Sequence, residues 1–416
     1  MRLGGRFLHG ADFSYLYTFH AHCRYAINFF KYERTNIVRG DFMTSTERKE
    51  HRRTRRSATR KAKKQGVVGE CDSLEKVADP NALMSASKKA RSGITWKASV
   101  QRYLMNLLKN VAESNKNILT GKDIRKGFIK FDLIERGKLR HISSVHFSER
   151  VAQRSLCANA LIPTLIRGLI YDNGASLKNK GITFALDRLS AHLQRHYRKH
   201  GNEGYVLLLD FSDYFGRIRH DVIKEILCQN FKDKRLISLA MSFVYAFGEK
   251  GLGLGSETSQ IFAVTYPSKI DHYIKEVLRI KGYARYMDDS YLIHKDKGYL
   301  KKCLEDLKGK FAEVGIVLNP KKTRIVKLSK GFTFLKTQYF LTDTGKVIRK
   351  ACRESIVRQR RKLKKFKKFS DAGEMSFGHI YNSYMSWRGY IGHKDAHRTI
   401  LSMDKLFKDF FILKEE

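Results

Sequence analysis

The apolar positions of this chain change period along its length, and each change marks an element. Tyr205-Val206-Leu207-Leu208-Leu209 is an unbroken apolar run behind Gly204, the pattern of a buried strand, and Asp210 closes it. Two further apolar arms, Gly282-Tyr283-Ala284-Arg285 and Ser290-Tyr291-Leu292-Ile293, flank Tyr286-Met287-Asp288-Asp289, which places that tetrapeptide at the tip of a β-hairpin. Between them His220-Asp221-Val222-Ile223-Lys224-Glu225-Ile226-Leu227 is amphipathic at helical spacing. Residues 95–130 read as a helical stretch followed by a connector, and beyond about residue 350 the chain turns helical and basic again. The 4 prolines and scarcity of turn-rich stretches suit continuous helical and α+β structure, so the predicted fold class is α+β.

Charge narrows the partner. Lysine and arginine number 82 against 41 acidic residues, 82 − 41 = +41, an excess that calls for a polyanion bound through phosphate neutralisation. A membrane surface is also polyanionic, but no run approaches the about 18 apolar residues of a spanning helix, so no membrane is expected. The six cysteines, Cys23, Cys71, Cys157, Cys228, Cys303 and Cys352, are scattered without a C-x2-C pair; reduced thiols and a cytoplasmic location are expected, not zinc or a disulfide framework. Met1–Gly10 lacks the apolar core of a secretory signal.

At 416 residues the chain suits two or three domains. Residues 1–42 are aromatic-rich, and Met43 opens a segment that reads as an alternative start. From Arg48 to Lys64 arginine and lysine crowd the chain (Arg52, Arg53, Arg55, Arg56, Arg60, Lys61, Lys63 and Lys64), with Thr46 as the expected helix cap. A helix polar all round has no core to join and belongs on nucleic acid or in solvent.

Two adjacent carboxylates at a hairpin tip repel each other, and an acid at the end of a buried strand is a poor structural choice unless something positive meets it. Asp210, Asp288 and Asp289 together form a three-carboxylate set suited to two Mg2+ ions, with Mn2+ as a substitute.

With those residues in view the sequence resembles the reverse transcriptases. Tyr286-Met287-Asp288-Asp289 is similar to that family's signature box, and Asp210 to Phe215 to its first catalytic motif. Gly251 to Gln260 resembles the motif supporting template and incoming nucleotide, Gly315 to Thr323 the next palm motif, and Gly331-Phe332-Thr333-Phe334-Leu335 the primer grip. Gly137 to Ile142, leading into Glu149 to Arg154, resembles the first fingers motif, and Gly174 to Gly181 the second. The resemblance covers roughly residues 136–340 and implies a right-hand polymerase: a 1–94 extension with a basic arm, fingers over 95–200, an antiparallel palm with helices over 201–345, and a helical thumb over 346–416.

It also implies roles. Asp210, Asp288 and Asp289 hold the metals, and Lys322 (or Lys321) stands near the departing pyrophosphate as a candidate general acid. Lys178 or Lys180 meets the triphosphate as a mobile cation, and Asp213, Leu254, Gly255, Tyr286 and Met287 belong to the nucleotide site. Phe215 stacks under the sugar and blocks a 2′-hydroxyl, selecting deoxynucleotides. Arg140, Arg150, Gln260, Arg360, Arg361 and Lys364 are the candidate nucleic-acid contacts, the last three in a thumb whose Tyr381 to Tyr390 stretch interleaves aromatics with cations.

One segment departs from the commonest family pattern. Leu254 stands where a glutamine is usual, and Gln260 where a proline is usual; this variant resembles the enzymes of diversity-generating retroelements and some defence-associated bacterial reverse transcriptases. An aliphatic side chain cannot hydrogen-bond the nucleotide as an amide can, so looser fidelity is expected. The implied activity is RNA-directed DNA synthesis from dNTPs on a cognate structured RNA, with a small helical accessory protein or a second copy as partner, in a bacterial or phage-infected cell. Other readings are phage defence with a dedicated non-coding RNA, an RNA-dependent RNA polymerase, and a non-catalytic RNA-binding or maturase-like protein. No RNase H or endonuclease signature follows the thumb, so such activity is expected from a partner.

Overall fold

The structure, a computed structural model, describes residues 44–135 and 138–412; the side chains of 48, 49, 56, 60–68, 135 and 138 are also outside it. The aromatic segment 1–42, Met43, Arg136 and Gly137 lie outside the described residues, as do the side chains of Arg48, Arg56, Arg60, Lys61, Lys63 and Lys64. The chain divides into Met1–Gln65 and Gly66–Glu416.

In the first unit the described residues belong to the helix Ser45–Cys71, which crosses the division in sequence. Its start is a reciprocal cap: Glu47 N–H donates to Thr44 Oγ1 at 3.3 Å, and Thr44 N–H donates to Glu47 Oε2 at 2.6 Å. The cap is therefore Thr44 rather than the expected Thr46, because Glu47 stands three residues after Thr44. Arg52, Arg53 and Arg55 are exposed.

The second unit begins earlier than the expected fingers boundary. Helices Leu74–Ala78 and Pro80–Ala90 bury Leu74, Val77 and Leu83 in the same core as Val111, Ile118 and Val151. Residues 66–94 thus belong to the body and not to an extension. Helices of 5 and 11 residues offer too few turns for their period to show in the sequence. Helices Ala98–Met105 and Leu107–Leu119 follow, then a hairpin of β1 (Phe128–Glu135) and β2 (Lys138–Val145), paired from Phe128↔Val145 to Glu135↔Lys138.

The central sheet is antiparallel, in the order β4 (Gly282–Tyr286), β5 (Asp289–His294), β3 (Tyr205–Asp210), β6 (Arg324–Lys327). Alternate residues of β3 enter two different cores. Leu207 and Leu209 join a large cluster with Tyr283 and Leu292; Val206 and Leu208 join a second with Ala284, Tyr291 and Leu193 of the helix Ile182–His200. Burial on both faces is the reason this strand reads as a continuous apolar run.

Three strands, β7 (Phe332–Phe334), β8 (Thr337–Leu341) and β9 (Val347–Ala351), form a separate antiparallel sheet. Its β9 lies past the expected palm boundary at 345, so the helical region starts at Arg353. That region comprises helices Arg353–Asp371, Phe377–Gly392 and His397–Phe411, packed around Leu363, Phe366, Ile380, Tyr384, Met403 and Phe407. The fold is α+β, as expected. Among the described residues no helix is long and apolar enough to cross a membrane.

Candidate active site

Strand register brings the acids together. Asp210 pairs with Asp289 at the last rung of the β3–β5 ladder, and Asp289 pairs on its other side with Tyr286 of β4. Only Met287 and Asp288 remain to turn the hairpin, and Met287 takes φ 57°. A left-handed methionine costs about 1–2 kcal/mol, so the surroundings must hold it. They do so from below. Arg285 Nη1 donates to Met287 O at 3.1 Å, while its Nε and Nη2 reach Asp271 and Nη2 also donates to Val264 O at 2.8 Å. Tyr283 OH donates to Oδ1 of the same Asp271 at 2.5 Å. From the β3 side, Phe211 N–H donates to Asp288 O at 3.3 Å.

The electrostatics are uneven across the trio. Asp210 is buried but partnered: Lys322 Nζ donates to Oδ1 at 2.7 Å and Asn319 Nδ2 to Oδ2 at 3.0 Å. The positive partner that a strand-end acid calls for is Lys322, which the loop after Ile316 returns to Asp210 together with an amide; Asn319 N–H also donates to Asp210 O at 2.7 Å. Asp289 has the opposite fate. Burial, then the neighbouring charges of Asp288 and Asp210, push its carboxyl up to about 7, with Lys322 opposing them. The acids open onto a cavity of about 630 Å3 that also receives Lys321, Lys322, Arg324, Lys336 and Tyr390.

Beside this cavity β7 and β8 make a tight hairpin in which both loop residues, Leu335 (φ 43°) and Lys336 (φ 58°), are left-handed. That is the type I′ pattern that Asn-Gly usually satisfies, so two ordinary side chains are held there under strain. The second fingers motif is stitched directly to the hairpin: Arg285 N–H donates to Asp172 O at 3.2 Å and Gly174 N–H to Arg285 O at 3.0 Å. A β-carbon on Gly174 would stand 3.2 Å from Ala185 Cβ, a tight contact that a larger residue could make only if the neighbouring helix gave by a few tenths of an ångström.

A comparison with protein families settles the affiliation. The reverse transcriptase (RNA-dependent DNA polymerase) family matches residues 124–339, more than half of the chain. The chain belongs to the reverse transcriptase family. No curated protein matches it. Among solved structures, apo telomerase from Candida tropicalis truncated from its C-terminal domain is 15% identical, with 53% of this chain and 54% of that chain covered and a TM-score of 0.41. Untruncated apo telomerase from Candida tropicalis gives 14%, 54%, 47% and 0.40. Telomerase from Candida albicans, in complex with a TWJ fragment of telomeric RNA, gives 12%, 75%, 61% and 0.45. The match thus spans about half to three-fifths of those chains.

Within this reverse transcriptase the expected residues separate into those the fold gathers and those it does not. Asp210, Asp288, Asp289, Tyr286, Lys321 and Lys322 line one cavity, and of the two lysines only Lys322 contacts an acid. Met287 packs against the cluster of Ala175, Leu177 and Val264. Phe215 is half-buried against the main core, and Asp213 precedes it exposed at φ 46°. Leu254 is tied to the fingers hairpin, where Ser143 N–H donates to its carbonyl at 3.1 Å; Gly255 beside it takes φ 114°. Gln260 is exposed on the helix Glu257–Thr265. Arg140 lies in β2, and Arg150 donates to Ser144 Oγ at 3.3 Å.

Lys180 and the basic helix differ in how their cations are placed. Lys180 is not a mobile cation: its Nζ donates to Tyr171 O at 2.6 Å and Asn173 O at 3.0 Å, and it lies over the Tyr171 and Phe184 rings. Burial lowers its pKa, and the mobile candidate left is the exposed Lys178. Arg360, Arg361 and Lys364 are exposed on the helix Arg353–Asp371, but the side chains of that helix lining the neighbouring cavity of about 500 Å3 include Arg358 and Lys362. That cavity shares Thr333, Lys336 and Tyr390 with the one onto which the three acids open. A helix turns about 100° per residue, and the basic run supplies cations on every face, so its sequence alone cannot choose among them.

The donor set can be tested against the metals. Among the described residues no three His, Cys, Asp or Glu side chains already form a metal cage. Yet all three acids offer hard oxygen donors, and burial followed by the charges of Asp288 and Asp210 disfavours the ionised form of Asp289, a cost that a divalent cation would relieve. For Asp210 to give Oδ1 to a metal, Lys322 has to release it.

Proposed function

We propose that the protein is an RNA-directed DNA polymerase that extends a primer with dNTPs on an RNA template. The observation that carries this reading is the Asp210–Asp289 rung, with Asp288 in the adjoining turn, at the mouth of a cavity large enough for a nucleotide. Asp210, Asp288 and Asp289 would hold two Mg2+ ions, for which Mn2+ can substitute; when bound, they lower the pKa of the attacking hydroxyl and neutralise charge on the transferring phosphate. The protein's own side chains do the rest. Lys322, already at the acids, is placed to move toward the leaving group and donate a proton there. Phe215, fixed against the core, presents a wall to a 2′-hydroxyl. Lys178 and the basic helix Arg353–Asp371 meet phosphates of nucleotide and duplex.

In this reading residues 95–200 act as fingers, the β3–β6 sheet with its helices as palm, and residues from Arg353 as thumb. The template is a cognate structured RNA of a diversity-generating retroelement, with an accessory helical protein or second copy as partner; the Leu254 and Gln260 variant also suits phage defence with a dedicated non-coding RNA, the second reading. The polymerase reading is tested by primer extension on an oligo(dT)-primed RNA with Mg2+ and labelled dNTPs. Extension with dNTPs and not NTPs supports it; failure even with RNA co-purified from the native host overturns it. The retroelement reading is tested by the genes beside this one: a repeat pair ending in a variable protein gene supports it, and a lone operon among defence genes replaces it with immunity.

A further inference from the structure

At the end of the sheet remote from the acids lies a second concavity, of about 240 Å3, walled by the C-terminal half of the helix Ile182–His200, the loop entering β4 and the end of β5. The β3–β5 ladder has Asp210↔Asp289 at one end and Tyr205↔His294 at the other. Five residue steps of about 3.3 Å put the two rungs roughly 16 Å apart, at opposite ends of the strands.

Its lining is of one sign. Arg195, Lys199, Arg279, Lys281 and Lys295 surround it, with four histidines (His192, His196, His200 and His294) and no acid. Among the described residues none of the five cations has a carboxylate partner, and the acids of the neighbouring segments are engaged elsewhere. Asp172 holds Arg188 and Lys275, Glu203 faces Lys327, and Asp296 caps Gly298 N–H. All five cations are exposed, so the concavity presents unneutralised charge. Arg279 ends the helical turn before β4, where Ile280 N–H donates to Ile274 O at 3.0 Å, and takes φ 51°, left-handed for a residue with a β-carbon.

We propose that this concavity is a second RNA site, which grips the phosphate backbone of a helical RNA segment while the catalytic cavity holds the primer–template. The chemistry selects that occupant. Arg195 and Arg279 offer forked donors matched to phosphate oxygens. The only apolar side chains in the lining, Ile280 and Ile293, are buried, so a protein partner would find no apolar anchor. The lining has no Phe, Tyr or Trp on which an unpaired base could stack, and its histidine rings already lie against other rings: His192 against Tyr291, His196 against His200, and His294 against Tyr299. Backbone contact without base contact is the way proteins hold A-form RNA. The site goes beyond the polymerase reading, because nucleic acid confined to the catalytic cavity does not need it.

The test uses the full chain with Arg195→Gln, Lys199→Gln and Arg279→Gly combined, and two fluorescent probes: a short RNA–DNA primer–template whose RNA strand overhangs the primer 3′ end by a few nucleotides, and the same duplex with its RNA strand extended at the other end into a stem–loop. Binding is read by anisotropy across a KCl series. Three lost phosphate contacts should flatten the log K against log salt slope by about 2–3 on the stem–loop probe. Slope and primer extension on the short duplex should stay as in the wild type. An unchanged slope on the stem–loop overturns the proposal, leaving an acidic protein or free phosphate as occupant. An equal change on both probes also overturns it, by assigning these cations to the catalytic cavity. Arg279→Gly alone, which relieves the left-handed strain, should fold and flatten the stem–loop slope by about 1. Because the readout is binding, it stands even if no DNA is made.

Discussion

Arg285 and Asp271 meet at 2.7 Å with side chains that are 0% and 1% exposed, and the same guanidinium donates to the carbonyl of Met287 at the hairpin tip. A buried ion pair seldom adds net stability over well-packed apolar side chains, but losing one partner leaves an uncompensated charge. The geometry gives this pair a positioning role, because it holds a left-handed methionine next to two acids.

Arg285→Met should therefore destabilise the fold by about 3–5 kcal/mol and abolish extension. Arg285→Met combined with Asp271→Leu should recover most of that stability but little activity, since the Met287 carbonyl stays unheld. Denaturant melts and extension rates on both variants and the wild type check this. Recovery of activity together with stability would reduce the pair to a purely structural one.

Asp289 predicts a pH effect with a definite sign. Its folded pKa of about 7 lies above the ordinary carboxylate value, so the folded state keeps a proton that the unfolded state releases. Without metal, this group's contribution to stability falls as pH rises from about 4 to about 7 and then levels. Asp289→Asn should raise Tm at pH 8 in chelator by roughly 1–3 °C, while Mg2+ should raise the Tm of the wild type and not of the variant. Calorimetry with and without Mg2+ at pH 5 and pH 8 measures both.

Lys322 contacts Asp210, whereas Lys321 lines the cavity without touching an acid. Lys322→Met should slow single-turnover incorporation by about 10²–10⁴-fold, the range for a lost general acid. Lys321→Met should stay within a few-fold. A larger loss at Lys321 would move the proton donor.

Two residues tune the product. Phe215→Ala should narrow the preference for dNTPs over NTPs by roughly 10–100-fold, read as a kcat/KM ratio. Leu254→Gln should lower the misincorporation frequency in sequenced products while leaving the extension rate within a few-fold. An unchanged error spectrum would detach fidelity from Leu254.

The acids were legible in the sequence because each closes or opens a strand whose period announces it: Asp210 ends an apolar run, and Asp288 and Asp289 interrupt two apolar arms. The partners that fix them were not. Asp271 lies 14 residues before Arg285, and Asp172 lies 103 before Lys275, distances set by packing and not by any local pattern. Asn319 and Lys322 reach Asp210 across 109 and 112 residues. The boundaries near 94 and 345 moved for a related reason: short elements such as Leu74–Ala78 and Val347–Ala351 take their place from the core or sheet edge they join. The basic concavity draws on three separate segments, so composition gave its charge but not its location.

The most direct test of the central claim is single-turnover addition of one deoxynucleotide to a DNA primer on an RNA template, with Mg2+, by the wild type and by Asp288→Ala/Asp289→Ala. The account predicts incorporation by the wild type and none by the variant, with both binding the duplex equally. Incorporation that survives loss of both carboxylates would contradict it.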